Sequence, residues 1–274
     1  MLKVALAQLN SNDDIQSNLN SIIKLIDEAV ASPNKPKLIL FPENSLYFRI
    51  SAEDQVKAIK KNSTIWSELQ SKANLAGISL HLTTAIMDQD NKIYNASILI
   101  QPAIPLKITY RKIHLFDIEL VGQKPIRESD VFSNGDLPSV FEFQGIKFGS
   151  SICYDLRFSE LYLAYAKQEV DVILVPSAFL VTTGLAHWES LLRARAIESQ
   201  CYVLAAAQSG EHLSHQGGYA GQSRKTYGHT LAIGPWGQIV QEKAEGVGLV
   251  YLELDKSEIA LVRAQIPMKS HRRL

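Results

Sequence analysis

Cysteine is scarce in this sequence, with two residues, Cys153 and Cys201, in 274. Two thiols in apolar stretches cannot staple a chain of this length. Its stability must come from a core, and a reducing compartment is expected. An excess of one charge is also missing, since 28 Lys and Arg face 28 Asp and Glu. Without a basic surplus there is little for a phosphate backbone to reward, which argues against a nucleic-acid partner. No run of about 18 apolar residues occurs, so no membrane span is expected. The opening MLKVALAQLN reads as a strand rather than as the zones of a signal peptide, and a cytoplasmic location is the expectation. HExxH and CxxC patterns are absent, and Gly145, Gly246 and Gly248 are turn glycines outside any strand-to-helix phosphate loop. Neither a metal nor a nucleotide cofactor is expected.

What is present is an ordinary globular composition, 46% apolar and 20% charged. There is no repeat, low-complexity tract or composition step, so residues 1–274 read as one domain. The first half alternates strand and helix. Strands are expected at Lys3 to Leu9, Leu38 to Phe41 and Ile78 to Ile86, with helices at Ile15 to Ala31 and about Ser63 to Leu75. Pro33 and Pro36 stop the first helix. Paired strands follow at Ile93 to Ile100 and Pro105 to Tyr110, then a charged loop from Ile113 to about Pro138. Further strands are expected at Val140 to Phe143, Ile146 to Ile152, Val170 to Val175, Cys201 to Ala207, His229 to Ile233, Gly237 to Gln241 and Gly248 to Leu254. Helices are expected at Leu161 to Gln168, Trp188 to Ser199 and from Asp255, a good N-cap, to about Ala264. Ser209 to Lys225 reads as a mobile surface loop. Short buried strands mixed with helices indicate layered α/β architecture.

Three reactive side chains share one local feature. Glu43 follows LILFP, Lys112 follows KITYR and Cys153 follows FGSSI, each at the end of an apolar strand. Strand ends are where loops gather and ligands bind in α/β sheets. A thiolate is a strong nucleophile, a carboxylate can take its proton, and an ammonium stabilises both the thiolate and an oxyanion. The N–H of Tyr154 is a natural second oxyanion donor. Spacing alone does not select these Glu and Lys residues over others at strand ends.

The blocks FPE (Phe41 to Glu43), YRKIHLF (Tyr110 to Phe116) and SICYDLRF (Ser151 to Phe158) resemble, in order, the three signature blocks of the nitrilase superfamily of carbon–nitrogen hydrolases. The likeness runs over essentially the whole chain. It implies an α-β-β-α sandwich, with two sheets inside and helices outside, and hydrolysis of a non-peptide C–N bond without metal or cofactor. It also implies Cys153 as nucleophile, Glu43 as general base, Lys112 as oxyanion stabiliser and Glu128, in IRESDVF, as a second carboxylate positioning them. Ala186 to Gly210 and Tyr227 to Gly237 are similar to the Nit-type amidase branch. The AAAQ-x-G stretch implies a small oxo-acid amide as substrate: deaminated glutathione first, released as 2-oxoglutarate and cysteinylglycine, and 2-oxoglutaramate, the ω-amidase substrate, second. A catalytically silent binding subunit is the remaining alternative. A homodimer through the helix after Cys153 and the C-terminal tail is expected.

Tyr154, Phe179 and Thr183 are expected to line the pocket. Arg49, Arg224 and Lys225 are candidates for a substrate carboxylate, and a structural role is favoured for Arg157. Arg193 and Arg195, with Glu189 and Glu198, read as ion pairs, and one of them is an alternative to Arg157 in ordering the loop behind Cys153. His187 and Trp188 read as a packing or substrate-shaping pair, His212, His215 and His229 as solvating a loop and strand start, and Cys201 as core.

Overall fold

A computed structural model describes residues 1–51, 53–119, 125–215 and 219–273. In chain order it runs β1 (Leu2–Gln8), α1 (Ile15–Ala31), β2 (Leu38–Leu40), β3 (Ile59–Lys60), α2 (Thr64–Ala76), β4 (Ser79–Met87), β5 (Ile93–Gln101) and β6 (Ile104–Arg111). A short pair, β7 (Asp117–Ile118) and β8 (Ile126–Arg127), precedes β9 (Ser139–Phe143) and β10 (Ile146–Ser150). A 3₁₀ turn (Cys153–Arg157), α3 (Ser159–Lys167), β11 (Val172–Leu174), α4 (Val181–Ser199) and β12 (Tyr202–Ala205) follow. The chain continues through β13 (Ser209–Leu213), β14 (Ser223–Tyr227), β15 (Thr230–Ile233), β16 (Ile239–Lys243) and β17 (Gly248–Leu254) to α5 (Lys256–Gln265) and α6 (Met268–His271).

One sheet has the order β17-β1-β2-β4-β5-β6, with β3 on β4, and the other has the order β16-β15-β12-β11-β10-β9. Strand alternation sorts the side chains into layers. Leu2, Val4 and Leu6 of β1 meet Phe148, Val172, Leu174 and Leu204 in a cluster between the sheets. Ala5, Ala7 and Ile39 turn the other way, onto α1 and α2 through Leu19, Ile22, Ile26 and Leu69. On the far side, Ile173 and Val203 pack against Tyr162, Tyr165, Trp188 and Leu192 of α3 and α4. The result is the four-layer α-β-β-α sandwich expected.

Local chemistry explains most boundaries. Asp14 caps α1 by accepting from the Ser17 N–H at 2.8 Å, and the helix closes at Ser32, just before Pro33. Gly77 ends α2 at φ +63°, a left-handed cap that costs glycine little. Gln144 and Gly145, both at positive φ, make the two-residue turn between β9 and β10.

Four expectations need correction. Helix α4 begins at Val181 rather than near Trp188. Its VTTG start has poor helix propensity, but Gly184 lets the Tyr227 ring lie where any larger side chain would stand, so packing overrides propensity. Residues 117–118 and 126–127 form a short ladder inside what reads as a loop. The segment from Ser209 to Lys225 is not a loop but most of a β arm. Its strands pair from Ser209↔Tyr227 to Leu213↔Ser223, and residues 216–218 lie outside the described chain. The arm is polar because its outer partners are polar. Asn10 Nδ2 donates to the Ser209 and Glu211 carbonyls at 2.6 and 3.2 Å, and Asp13 Oδ1 accepts from the His215 N–H at 3.0 Å. His212, expected to solvate a loop, is buried, bonded to the Ser11 carbonyl at 2.6 Å and to Thr226 Oγ1 at 2.7 Å. Among the described residues no helix is long and apolar enough to cross a membrane.

Candidate active site

Strand direction brings the three distant signature residues together. β2 runs parallel to β4, and two antiparallel steps make β6 parallel to β4 as well. In the other sheet β10, β11 and β12 are mutually parallel. The carboxyl ends of β2, β6, β10 and β11 therefore deliver Glu43, Lys112, Cys153 and Phe179 to one cavity, as parallel strand ends do in α/β sheets.

Lys112 is the hub. Its Nζ donates to Glu43 Oε1 at 2.9 Å and to Glu128 Oε2 and Oε1 at 2.8 and 3.1 Å. Burial works against its ammonium, but Glu128 and Glu43, with a smaller pull from Cys153, raise its pKa well above the ordinary lysine value. Burial by itself raises the Glu128 carboxyl; Lys112 and the N–H groups of Phe116 and Asn95 outweigh it and hold Glu128 below its usual range. The Phe116 bond to Glu128 Oε2 is 2.6 Å. Glu128 thus stays ionised and saturated with donors, and acts as the permanent counter-ion of Lys112.

Cys153 sits at φ +48° on the first residue of the 3₁₀ turn, a left-handed conformation that a non-glycine residue adopts only when its surroundings impose it. It is 8% exposed, against 0% for Cys201, which lies in the core. Burial first, then Glu43, pushes the Cys153 thiol well above its ordinary pKa, while Lys112 and the Ala178 N–H pull the other way. The Cys153 side chain is therefore held as a thiol beside Glu43.

Asp155 ties this turn to the Lys112 segment. Its fully buried carboxylate accepts from the Ile152 N–H at 2.9 Å, the Tyr110 hydroxyl at 2.8 Å, the His114 N–H at 2.9 Å and His114 Nδ1 at 2.7 Å. The sequence reading missed it, although Asp155 lies inside the SICYDLRF block. Arg195 orders the turn from behind, donating from Nε and an Nη to the Leu156 carbonyl at 3.0 and 2.9 Å. That is the structural role expected of Arg157. Arg157 instead lines the cavity, with its guanidinium 5.3 Å from the Phe179 ring centre and bonded to His187 at 3.0 Å.

Tyr154, Phe179 and Thr183 line the cavity, as do Arg49 and Arg224. Lys225 does not; it points from the outer side of the arm toward Glu211, 3.9 Å away. Arg224 comes in on β14, its guanidinium 5.3 Å from the Phe48 ring centre, and Phe48 in turn stacks on His212 at 4.3 Å. Burial, and to a lesser degree Arg49, lowers the Arg224 pKa against the opposing pull of Glu43 and Cys153.

The structure is thus a four-layer sandwich with a buried thiol, carboxylate and ammonium at one pocket. Residues 3–264 match the family model described as carbon–nitrogen hydrolase, and the chain belongs to that family. Deaminated glutathione amidase of Mus musculus is 36% identical over 98% of this chain and 83% of its own length. An ω-amidase of Danio rerio is 34% identical over 99% of this chain and 94% of its own. The crystal structure of Saccharomyces cerevisiae Nit3, described as a member of branch 10 of the nitrilase superfamily, superimposes with a TM-score of 0.83 at 31% identity, covering 100% of this chain and 97% of that one.

Proposed function

We propose that this carbon–nitrogen hydrolase is an amidase that cleaves deaminated glutathione to 2-oxoglutarate and cysteinylglycine, with Cys153, Glu43 and Lys112 as its catalytic groups and Glu128 as their fixed counter-ion. The observation that carries the reading is the charge of the pocket. Among the described residues, Lys112, Arg49, Arg157 and Arg224 face only Glu43 and Glu128 there. The wall thus holds a surplus of two positive charges around a thiol, which suits a small amide bearing two carboxylates. The similarity to deaminated glutathione amidases over nearly the whole chain supports the same substrate.

The geometry supports a mechanism in two half-reactions. Glu43 takes the proton of the Cys153 thiol as sulfur attacks the amide carbon, so the thiolate forms only in the reacting complex. The tetrahedral oxyanion meets the Lys112 ammonium and the N–H of Tyr154, in the first turn of the 3₁₀ segment where backbone donors have no intrahelical acceptor. Glu43 returns its proton to the departing amine and a thioester remains. Water, deprotonated by Glu43, attacks the thioester; 2-oxoglutarate leaves and the sulfur regains its proton. No step calls for a metal or cofactor. Phe179, Thr183 and Tyr154 shape the cavity around the acyl chain.

The chain is read as a single catalytic domain over 1–274, working in the cytoplasm, where its two unpaired thiols stay reduced. It is read as a homodimer through α3 and the C-terminal tail. The direct test is steady-state turnover of deaminated glutathione and 2-oxoglutaramate side by side, with Cys153→Ala as control. A higher kcat/KM for deaminated glutathione, abolished by Cys153→Ala, is the expected result. Preference for 2-oxoglutaramate would make the protein an ω-amidase, and no turnover of any small amide would make it a silent binding subunit.

A further inference from the structure

Glu43 and Glu128 share a neutral neighbour that the mechanism above does not use. Asn95 lies on β5, 2% exposed. Its Nδ2 donates to Glu43 Oε1 at 2.8 Å and to Glu128 Oε1 at 3.1 Å. Its backbone carbonyl accepts the Lys112 N–H at 2.9 Å, so one residue touches all three charged members of the cluster. The two carboxylates are nonetheless held differently. Glu128 accepts from Lys112 on both oxygens, from Asn95 on Oε1 and from the Phe116 N–H on Oε2. Glu43 accepts from Asn95 and Lys112 on the same atom, Oε1, and Oε2 takes neither of these bonds.

A carboxyl oxygen that already accepts two N–H bonds, one of them from an ammonium, is a poor place for a proton. Resting on Glu43 as the base, we propose that Asn95 is a positioning residue that decides where Glu43 carries its proton. By occupying Oε1 together with Lys112, it reserves Oε2 for the proton taken from Cys153 and later handed to the leaving amine. Lys112 cannot do this alone. Its ammonium must turn toward the oxyanion during the reaction, and Asn95 keeps its grip on Oε1 while that happens. Asn95 is neutral, so it holds both carboxylates without competing with Lys112 for their charge.

Among the described residues, the charged and titratable groups that line the cavity with Glu43 are Tyr47, Arg49, Lys112, Glu128, Cys153, Tyr154, Arg157 and Arg224, all retained in Asn95 variants. Three substitutions, Asn95→Ala, Asn95→Ser and Asn95→Asp, are to be compared with wild type by kcat, KM, the pH profile of kcat/KM and thermal unfolding. Asn95→Ala is expected to lower kcat by about tenfold to 100-fold, less than the ~10²–10⁴ lost with the base itself, while KM stays within about twofold. The sign of the pH effect follows from the lost donor. A carboxylate with one fewer N–H bond takes up a proton more readily, so the acid limb moves to higher pH. Asn95→Asp, nearly isosteric, places a third carboxylate beside Glu43 and moves the limb further up. Asn95→Ser restores one donor and recovers part of the rate.

A reduced kcat with an unmoved acid limb in both the Ala and Asp variants, or a loss confined to KM, would overturn the proposal and leave Asn95 a packing residue. Should Asn95→Ala fail to fold, the Asp and Ser variants carry the same comparison. Glu43→Gln working at the wild-type rate would remove the base assignment and this proposal with it, whereas an unmoved limb removes only the role of Asn95.

Discussion

At the scale of single residues, the site depends on how far burial shifts ionisation and which neighbours oppose it. Cys153 and Cys201 make the contrast. Both thiols are pushed up by burial, Cys201 to about 12. Carboxylates act on both, Glu43 on Cys153 and Asp171 and Glu198 on Cys201, but only Cys153 opens on a cavity, with Glu43 in the same lining. A thiol's pKa therefore does not predict its reactivity here; access and an adjacent base do. Iodoacetamide is expected to label Cys153 in the native protein and leave Cys201 untouched until the chain unfolds, as peptide mass mapping would report. Glu43→Gln should slow the labelling of Cys153, because the base that removes its proton is gone. Equal, slow labelling of both thiols would contradict an activated nucleophile. Glu43, Lys112 and Cys153 were legible in the sequence because three signature blocks carry them. Asn95 was not: it is one polar residue in an apolar strand, and nothing in KIYNASILI says that its amide meets two carboxylates contributed by other segments.

Individual elements hold these groups through a few buried polar joints. The turn after β10 is fastened to the segment after β6 by Asp155, whose two oxygens accept four hydrogen bonds. Asp155→Asn replaces an acceptor with donors facing donors. It is expected to cost about 3 kcal/mol of unfolding free energy and to lower kcat as Cys153 and Lys112 lose their common anchor; urea unfolding together with steady-state kinetics checks both. The β13–β14 arm is held by His212, whose pKa burial lowers from the ordinary 6.5 to about 4, and His81, on β4 against Phe141, is lowered to about 3 for the same reason. The unfolded chain takes up these protons near pH 6.5 while the folded chain does not until pH 4 or below. Stability is therefore full above pH 6.5 and falls as pH drops toward 4, by about 2 kcal/mol for each histidine at pH 5. In His212→Asn the difference in unfolding free energy between pH 7 and pH 5 should shrink by about that amount, whatever the variant's absolute stability; an unchanged difference would show that His212 is not the proton acceptor. The arm escaped the sequence reading because its partners, Asn10, Ser11 and Asp13, lie some 200 positions away and are polar, so it carries no apolar alternation.

For the whole molecule, the expected mass by light scattering is that of about two chains. The surface that pairs them is read as α3 with the C-terminal tail, where Leu261 and Ile266 are exposed and Arg272 fixes the tail by donating to the Glu198 carbonyl at 2.7 Å. A mass of one chain at micromolar concentration would refute this. A layered α/β architecture was readable from strands such as LKVALAQ and LIL, because a buried strand between two layers must be apolar on both faces; the four-layer order came only with the resemblance of the three signature blocks to the nitrilase superfamily. Cys153, Glu43 and Lys112, the candidate nucleophile, base and ammonium, stood out because each is embedded in an ordered motif. What only the folded chain decided is everything that depends on the direction in which distant segments meet. Arg157 ends the 3₁₀ turn and Arg195 lies within α4, yet the first lines the pocket and the second holds the turn from behind through the Leu156 carbonyl. Lys225 adjoins Arg224, yet strand alternation turns it outward. Local sequence sets which side chains are available and which stretches pack, through periodicity and burial. Charge placement inside the pocket is set by strand parallelism and by hydrogen bonds between residues far apart along the chain, which no local pattern encodes.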